Sequence, residues 1–180
     1  MSRRSEINLP NAITISRILA LPFCAYALFK NGGDDTTWRM IAFALFFIVG
    51  MTDVLDGQLA RSRNSVTEFG KLLDPIADKA LIGTALVGLS ILELLPWWVT
   101  IVILTREIAI TIFRFAVIKG GVIPANRGGK IKATVQNLAV GFYILPLGTP
   151  FLWFRDLFMG VALILTLATG VWYVIEARKG

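Results

Sequence analysis

WRMIAFALFFIVGMTDVLDGQLA, residues 38–60, is the stretch from which the architecture can be read. Its apolar run, Ile41 to Met51, is too short to cross a bilayer, which takes about 20 residues. No proline interrupts the stretch beyond Met51, so the helix is expected to continue through Asp53 and Asp56 to Ala60. From Trp38 to Asp56 is a rise of 18 residues, or about 27 Å at 1.5 Å each. A helix of this kind puts an aromatic residue at one membrane surface and two carboxylates near the other.

The rest of the chain has the same character. Of 180 residues, 56% are hydrophobic and 17% charged, against about half and a quarter in soluble domains. The surplus apolar side chains are expected to face lipid. Turn chemistry at Asn31–Asp35, Arg61–Gly70, Pro96, Gly120-Gly121, Asn126–Gly129 and Gly148–Pro150 divides the chain into six helices. They are expected at about 10–29, 38–60, 71–92, 97–118, 131–148 and 155–177. No repeat or linker splits residues 1–180, so one membrane domain is expected. The first apolar stretch carries Arg17 and lacks a small-residue cleavage site, which argues against a signal peptide.

Six spans put both termini on one side. That side collects Arg3, Arg4, Arg17, Arg61, Arg63, Lys71, Lys119, Arg127, Lys130, Lys132, Arg178 and Lys179. The other has Lys30, Arg39 and Arg155, while Lys79, Arg106 and Arg114 fall inside spans. The positive-inside rule makes the termini cytosolic. It also accounts for the net charge of +6 without invoking nucleic acid. With no histidine and a single cysteine, Cys24, the chain has no Ser-His-Asp or Cys-His nucleophile, no His metal ligand and no intrachain disulfide.

The third helix starts on the cytosolic side with Asp74 and Asp78 in its first turns. Asp53 and Asp56 are i, i+3 neighbours and Asp74 and Asp78 are i, i+4 neighbours, so each pair shares a helix face. Any one of them alone reads equally well as a helix cap, or as a partner for Arg61, Arg63, Lys71 or Lys79. Four at one depth would repel one another unless divalent cations offset the charge. An all-oxygen ligand set favours Mg²⁺ or Mn²⁺ over Zn²⁺. Gly57 and Gly70 permit close approach of a ligand, and Arg61 follows one turn later, suitably charged for a phosphate.

Written out, the segment is Asp53-x2-Asp56-Gly57-x2-Ala60-Arg61-x8-Gly70-x3-Asp74-x3-Asp78. It resembles the signature of the CDP-alcohol phosphotransferases at every specified position. The resemblance implies a six-helix membrane enzyme, often a homodimer, in which an alcohol attacks a CDP-linked phosphate and expels CMP. It implies that Asp53, Asp56, Asp74 and Asp78 hold two metal ions and that Asp78 is also the general base. It further implies that Gly57, Arg61, Gly70 and Thr67 contact the CDP part.

Two more segments resemble the branch that uses CDP-diacylglycerol as donor and glycerol 3-phosphate as acceptor. One is Asn8-x-Pro10-Asn11-x2-Thr14-x2-Arg17; the other runs from Asn126 through Arg127, Lys130 and Lys132 to Gln136. A phosphorylated acceptor calls for extra cations, and Arg114, Lys130 and Lys132 are the candidates, with Arg127 beside them. The plainer reading of Arg127, Lys130 and Lys132 is cytosolic anchoring, whereas Arg114 shares a helix stripe with Glu107 and Thr111 inside a span, where ionisable residues are functional candidates. Ala133 stands where relatives often carry threonine, leaving Thr134 as the neighbouring hydroxyl. Arg106 and Glu107 fall near mid-bilayer, where neutralising partners on other helices is their expected role. Competing readings keep the chemistry with inositol phosphate or another alcohol, or make the carboxylates a cation transporter's site. Transporter sites usually lie near the midplane within a repeated architecture, which is not visible here. The cytosolic orientation fits a bacterial plasma membrane.

Overall fold

The computed structural model describes residues 9–62, 68–117 and 127–177, with side chains given except at 9–10, 53–62, 68–72, 74, 114–117, 127, 174 and 176–177. Those residues form α1 (Leu9–Phe29), α2 (Thr36–Ser62), α3 (Glu68–Ile91), α4 (Trp97–Val117), α5 (Arg127–Ile144) and α6 (Leu152–Ala177). No strand occurs among them. The all-helical expectation holds. The helices gather into two compact units: α1, α2 and α3 as far as Gly88 with Ile144–Pro146, and the remainder from Leu89 onward.

In the first unit, α1 packs along α2. The turn between them needs left-handed backbone at Asn31 (φ 55°), Gly32 (φ 71°) and Gly33 (φ 80°). Asparagine and glycine are the residues that adopt it most readily. Asp35 then starts α2: its Oδ1 accepts the Thr37 and Trp38 amides at 2.9 and 3.1 Å, satisfying donors that have no partner inside the helix. The Trp38 amide foremost, and then the Asn31 side chain, hold the Asp35 carboxyl below the usual carboxylate range. A small apolar cavity lies among Cys24 and Leu28 of α1, Ala42 and Phe46 of α2, and Leu81 and Ala85 of α3. The guanidinium of Arg39 donates to the carbonyls of Ile144 and Leu145 at 3.0 and 3.2 Å.

In the second unit, α3 ends where the Glu93 amide donates to Ser90 O (3.2 Å) and the Leu94 amide to Leu89 O (2.9 Å). This pair of bonds is the Schellman closure. It needs a left-handed residue, here Glu93 at φ 59°. The buried hydroxyls of Ser90 and Thr100 meet at 2.7 Å, joining the end of α3 to α4. Phe142, Phe154 and Phe158 pack ring to ring, with centroids 4.7–5.1 Å apart, between α5 and α6.

Several helix ends fall elsewhere than sequence punctuation suggests. The second helix runs on to Ser62 and the third begins at Glu68, so Arg61 and Gly70 are helical rather than loop residues. The fifth spans 127–144, not 131–148. Pro146 explains its early end, because it disfavours helical backbone at Leu145. Among the described residues, two helices are long and apolar enough to cross a membrane, Asn11–Gly33 and Thr149–Tyr173, with mean hydropathies of 1.7 and 1.8. Only 28% and 17% of their apolar windows are buried within the chain. Outward-facing Phe23, Ile164 and Val171 are more than half exposed, which suits a lipid surround rather than water.

Candidate functional site

The register of α2 against α3 follows from one contact. A methyl added at Gly50 would lie 4.0 Å from Leu81 Cδ2, so these positions face each other. Phe46 and Ala85, four residues away in opposite directions, line one cavity, which makes the two helices antiparallel. Asp53 is three residues on from Gly50, and Asp78 is three back from Leu81. Asp56 and Asp74 are six on and seven back. At about 1.5 Å per residue the four backbone positions fall at two similar levels toward one end of the two helices. Both helices continue through these positions, with Pro75 inside α3 between Asp74 and Asp78.

The same end of α1 is polar and buried. Asn11, Thr14 and Arg17, at i, i+3 and i+6, are 2%, 1% and 4% exposed. Asn11 is 18 residues back from Phe29, and Asp53 is 17 on from Thr36. Measured from their shared turn, both stand about 26–27 Å along paired helices. The opening motif thus lies level with the aspartates.

The donor set suits a hard divalent cation: four carboxylates, with no histidine anywhere in the chain. The side chains of Asp53, Asp56 and Asp74 lie outside the described residues. Among the described ones, no group of three His, Cys, Asp or Glu forms a metal cluster. Asp78 is partly exposed and has a polar partner of its own. Gly57 and Arg61 are on α2 and Gly70 on α3, whereas Thr67 lies outside the described residues.

The basic candidates are in the second unit. Arg114 is in the last turn of α4, and Arg127 opens α5; neither side chain is among those described. Lys130 is exposed. Beside it a Cβ on Gly129 would meet nothing within 4 Å among the described residues. Lys132 differs. It is 5% exposed, and its ammonium is bound to Glu107 of α4. Arg106 also binds Glu107, at 3.0 Å, and donates to Thr169 of α6 at 2.7 Å. Arg106 and Glu107 therefore do meet partners on other helices. Sequence reasoning missed Thr166 and Thr169, and the signal was available as two hydroxyls one turn apart in the apolar middle of α6.

Together these features define the class first: an all-helical protein, with two helices long and apolar enough to cross a membrane and with four aspartates carried on α2 and α3. The sequence pattern of the CDP-alcohol phosphatidyltransferase family matches residues 7–172. The chain belongs to that family and is an enzyme of its type. A Mycobacterium tuberculosis protein named "Probable phosphatidylglycerophosphate synthase" is 49% identical, over 96% of this chain and 82% of its own length. A Bacillus subtilis protein named CDP-diacylglycerol–glycerol-3-phosphate 3-phosphatidyltransferase is 40% identical, over 91% of each. A Streptomyces coelicolor protein named cardiolipin synthase (CMP-forming) is 31% identical, over 96% of this chain and 84% of its own length.

Proposed function

We propose that this protein transfers the phosphatidyl group of CDP-diacylglycerol to glycerol 3-phosphate, yielding phosphatidylglycerophosphate and CMP. The observation that supports the reading is the proximity of Gly50 on α2 to Leu81 on α3, from which residues 53 and 78, and 56 and 74, count out to similar levels along the two helices. The names of the Mycobacterium and Bacillus relatives support the choice of substrates.

Asp53, Asp56, Asp74 and Asp78 would hold two divalent cations, Mg²⁺ or Mn²⁺, whose charge when bound steadies phosphate oxygens on both sides of a displacement. Arg61 pairs with the CDP phosphates, and Gly57, Gly70 and Thr67 let the nucleotide come close to the backbone. Asp78 takes the proton from the acceptor hydroxyl. The hydroxyl oxygen bonds to the phosphorus next to the diacylglycerol, and the bond from that phosphorus to CMP breaks. Arg114, Lys130 and Lys132 hold the acceptor's phosphate, with Arg127 adjoining. Asn11, Thr14 and Arg17 line the acidic end from α1. The Streptomyces relative carries a different name, cardiolipin synthase (CMP-forming); the basic residues here favour a phosphorylated acceptor.

The chain is read as one membrane domain of six spans with both termini cytosolic, in a bacterial plasma membrane, paired as a homodimer. Support for the topology comes from tryptophan. Trp38 begins α2, Trp97 and Trp98 begin α4, and Trp153 begins α6. Trp172 lies near the other end of α6, so tryptophans stand at helix ends on both sides, where interfacial aromatic belts belong.

Purified protein supplied with CDP-diacylglycerol, either metal and a series of alcohols tests the reading. Glycerol 3-phosphate should release one CMP per phosphatidylglycerophosphate formed, and chelation should stop it. No CMP with glycerol 3-phosphate, where another alcohol gives it, refutes the acceptor. Metal uptake into proteoliposomes without lipid turnover refutes the enzyme.

A further inference from the structure

Glu107 stands at the centre of the polar network of the second unit. Its Oε1 accepts from Arg106 Nη1 of its own helix and from Lys132 Nζ of α5. Arg106 is tied in turn to Thr169 of α6. The three charged side chains are only 13%, 15% and 6% exposed for Arg106, Glu107 and Lys132. One turn further along α5, Gln136 accepts from Thr166 of α6 at 3.4 Å, and both are buried.

Such an arrangement is poorly explained by stability alone. Well-packed apolar residues of similar volume commonly serve a buried ion pair's place as well or better. A carboxylate beside a buried ammonium does something that an apolar neighbour does not: it keeps the nitrogen protonated and holds it at one position. A phosphate-binding lysine needs both. Lysine, unlike arginine, loses its proton readily when buried, and its long stem has many rotamers to lose.

We propose that Glu107 is a positioning residue for the acceptor, holding the Lys132 ammonium in place to receive the acceptor's phosphate. Arg106, anchored on Thr169, fixes Glu107. The inference rests on the reading that glycerol 3-phosphate is the acceptor and that Lys132 binds it. Lys130, on the exposed first turn of α5, has no such support in the described structure and acts from solvent.

Steady-state kinetics of the full chain in nanodiscs tests this, with CDP-diacylglycerol and glycerol 3-phosphate varied separately. Glu107→Gln keeps the shape and removes the charge. It should raise the KM for glycerol 3-phosphate about tenfold while leaving that for CDP-diacylglycerol within about twofold. Lys132→Met should do the same, and the double variant should be no worse than Lys132→Met alone, because Glu107 acts through that lysine. Glu107→Asp draws the carboxylate back by one methylene and should raise the same KM by a smaller factor, about threefold. This second variant keeps the test readable should Glu107→Gln not fold. Equal rises for both substrates, a lowered melting temperature with both KM values unchanged, effects of Glu107→Gln and Lys132→Met that multiply, or a wild-type KM in Glu107→Asp each overturn the inference. Wild-type enzyme that releases no CMP with glycerol 3-phosphate overturns the functional reading first, and this inference with it.

Discussion

Replacing Gly88 by alanine measures how tightly α3 packs on α1. A Cβ there would lie 2.8 Å from Leu28 Cδ2 and 3.5 Å from Phe29 Cζ, whereas carbons rest about 3.5–4.0 Å apart. Roughly 1 Å must be found, and Leu28 is only 3% exposed. Overpacking of this kind costs about 1–3 kcal/mol. Two effects oppose it. Leu28 borders the small apolar cavity, so its methyl has somewhere to turn. Alanine also exceeds glycine in helix propensity by about 1 kcal/mol. The net loss for Gly88→Ala is then about 0–2 kcal/mol, too broad a range to judge the contact by itself. A double-mutant cycle with Leu28→Ala cancels the propensity, which is present in both backgrounds. Unfolding in mixed micelles, followed by circular dichroism, should give a coupling of about 1–3 kcal/mol. In the Leu28→Ala background, Gly88→Ala should stabilise by up to about 1 kcal/mol. A coupling below about 0.5 kcal/mol would mean that the side chains are not in contact, and the packing argument fails.

Asp78→Asn should fold normally yet lose CMP release by about 10²–10⁴-fold, the usual worth of a general base; turnover near that of the wild type removes the assignment. Arg114→Ala should raise the KM for glycerol 3-phosphate by about 10–100-fold, the scale of one charged hydrogen bond, and should leave the CDP-lipid unaffected. Equal effects on both substrates count against its role. Asp35 offers a pH test. Its carboxyl is held low in the fold, so its stabilisation is fully present above the unfolded value of about 3.9 and is lost as pH falls through the lower folded value. Asp35→Asn keeps a capping oxygen without the titration. The wild-type advantage in melting temperature should be level at neutral pH and shrink below about pH 4. An advantage that stays constant down to pH 3 contradicts the cap's electrostatic role.

Much of the fold was legible because the relevant signals are local. The Asn31-Gly32-Gly33 turn, the Asp35 cap and the continuation of α2 past Met51 need only backbone preference and side-chain reach. The fifth helix was misplaced at both ends for a physical reason. Glycines at 128 and 129 look like a loop, yet they sit in the first turn of α5. Their propensity cost is small there, and the stronger determinant was Pro146 at the other end. Glu93 carries no glycine-like signal for the left-handed position that it occupies; its neighbours Leu89 and Leu94 set that turn.

The candidate site divides in the same way. Which aspartates share a helix face, and that two helices present them at one depth, is periodicity arithmetic within single elements, open to anyone holding the amino-acid order. The axial register of α2 against α3 required knowing that Gly50 lies beside Leu81, a contact between helices that no local pattern encodes. Lys132 shows the limit most clearly. As a letter it is one more cytosolic cation, but in the structure it is buried on Glu107, twenty-five residues away. The order of residues determines charge, period and turn chemistry because these act over a few bonds. Partners across helices depend on rotation and register, which only the packed structure decides.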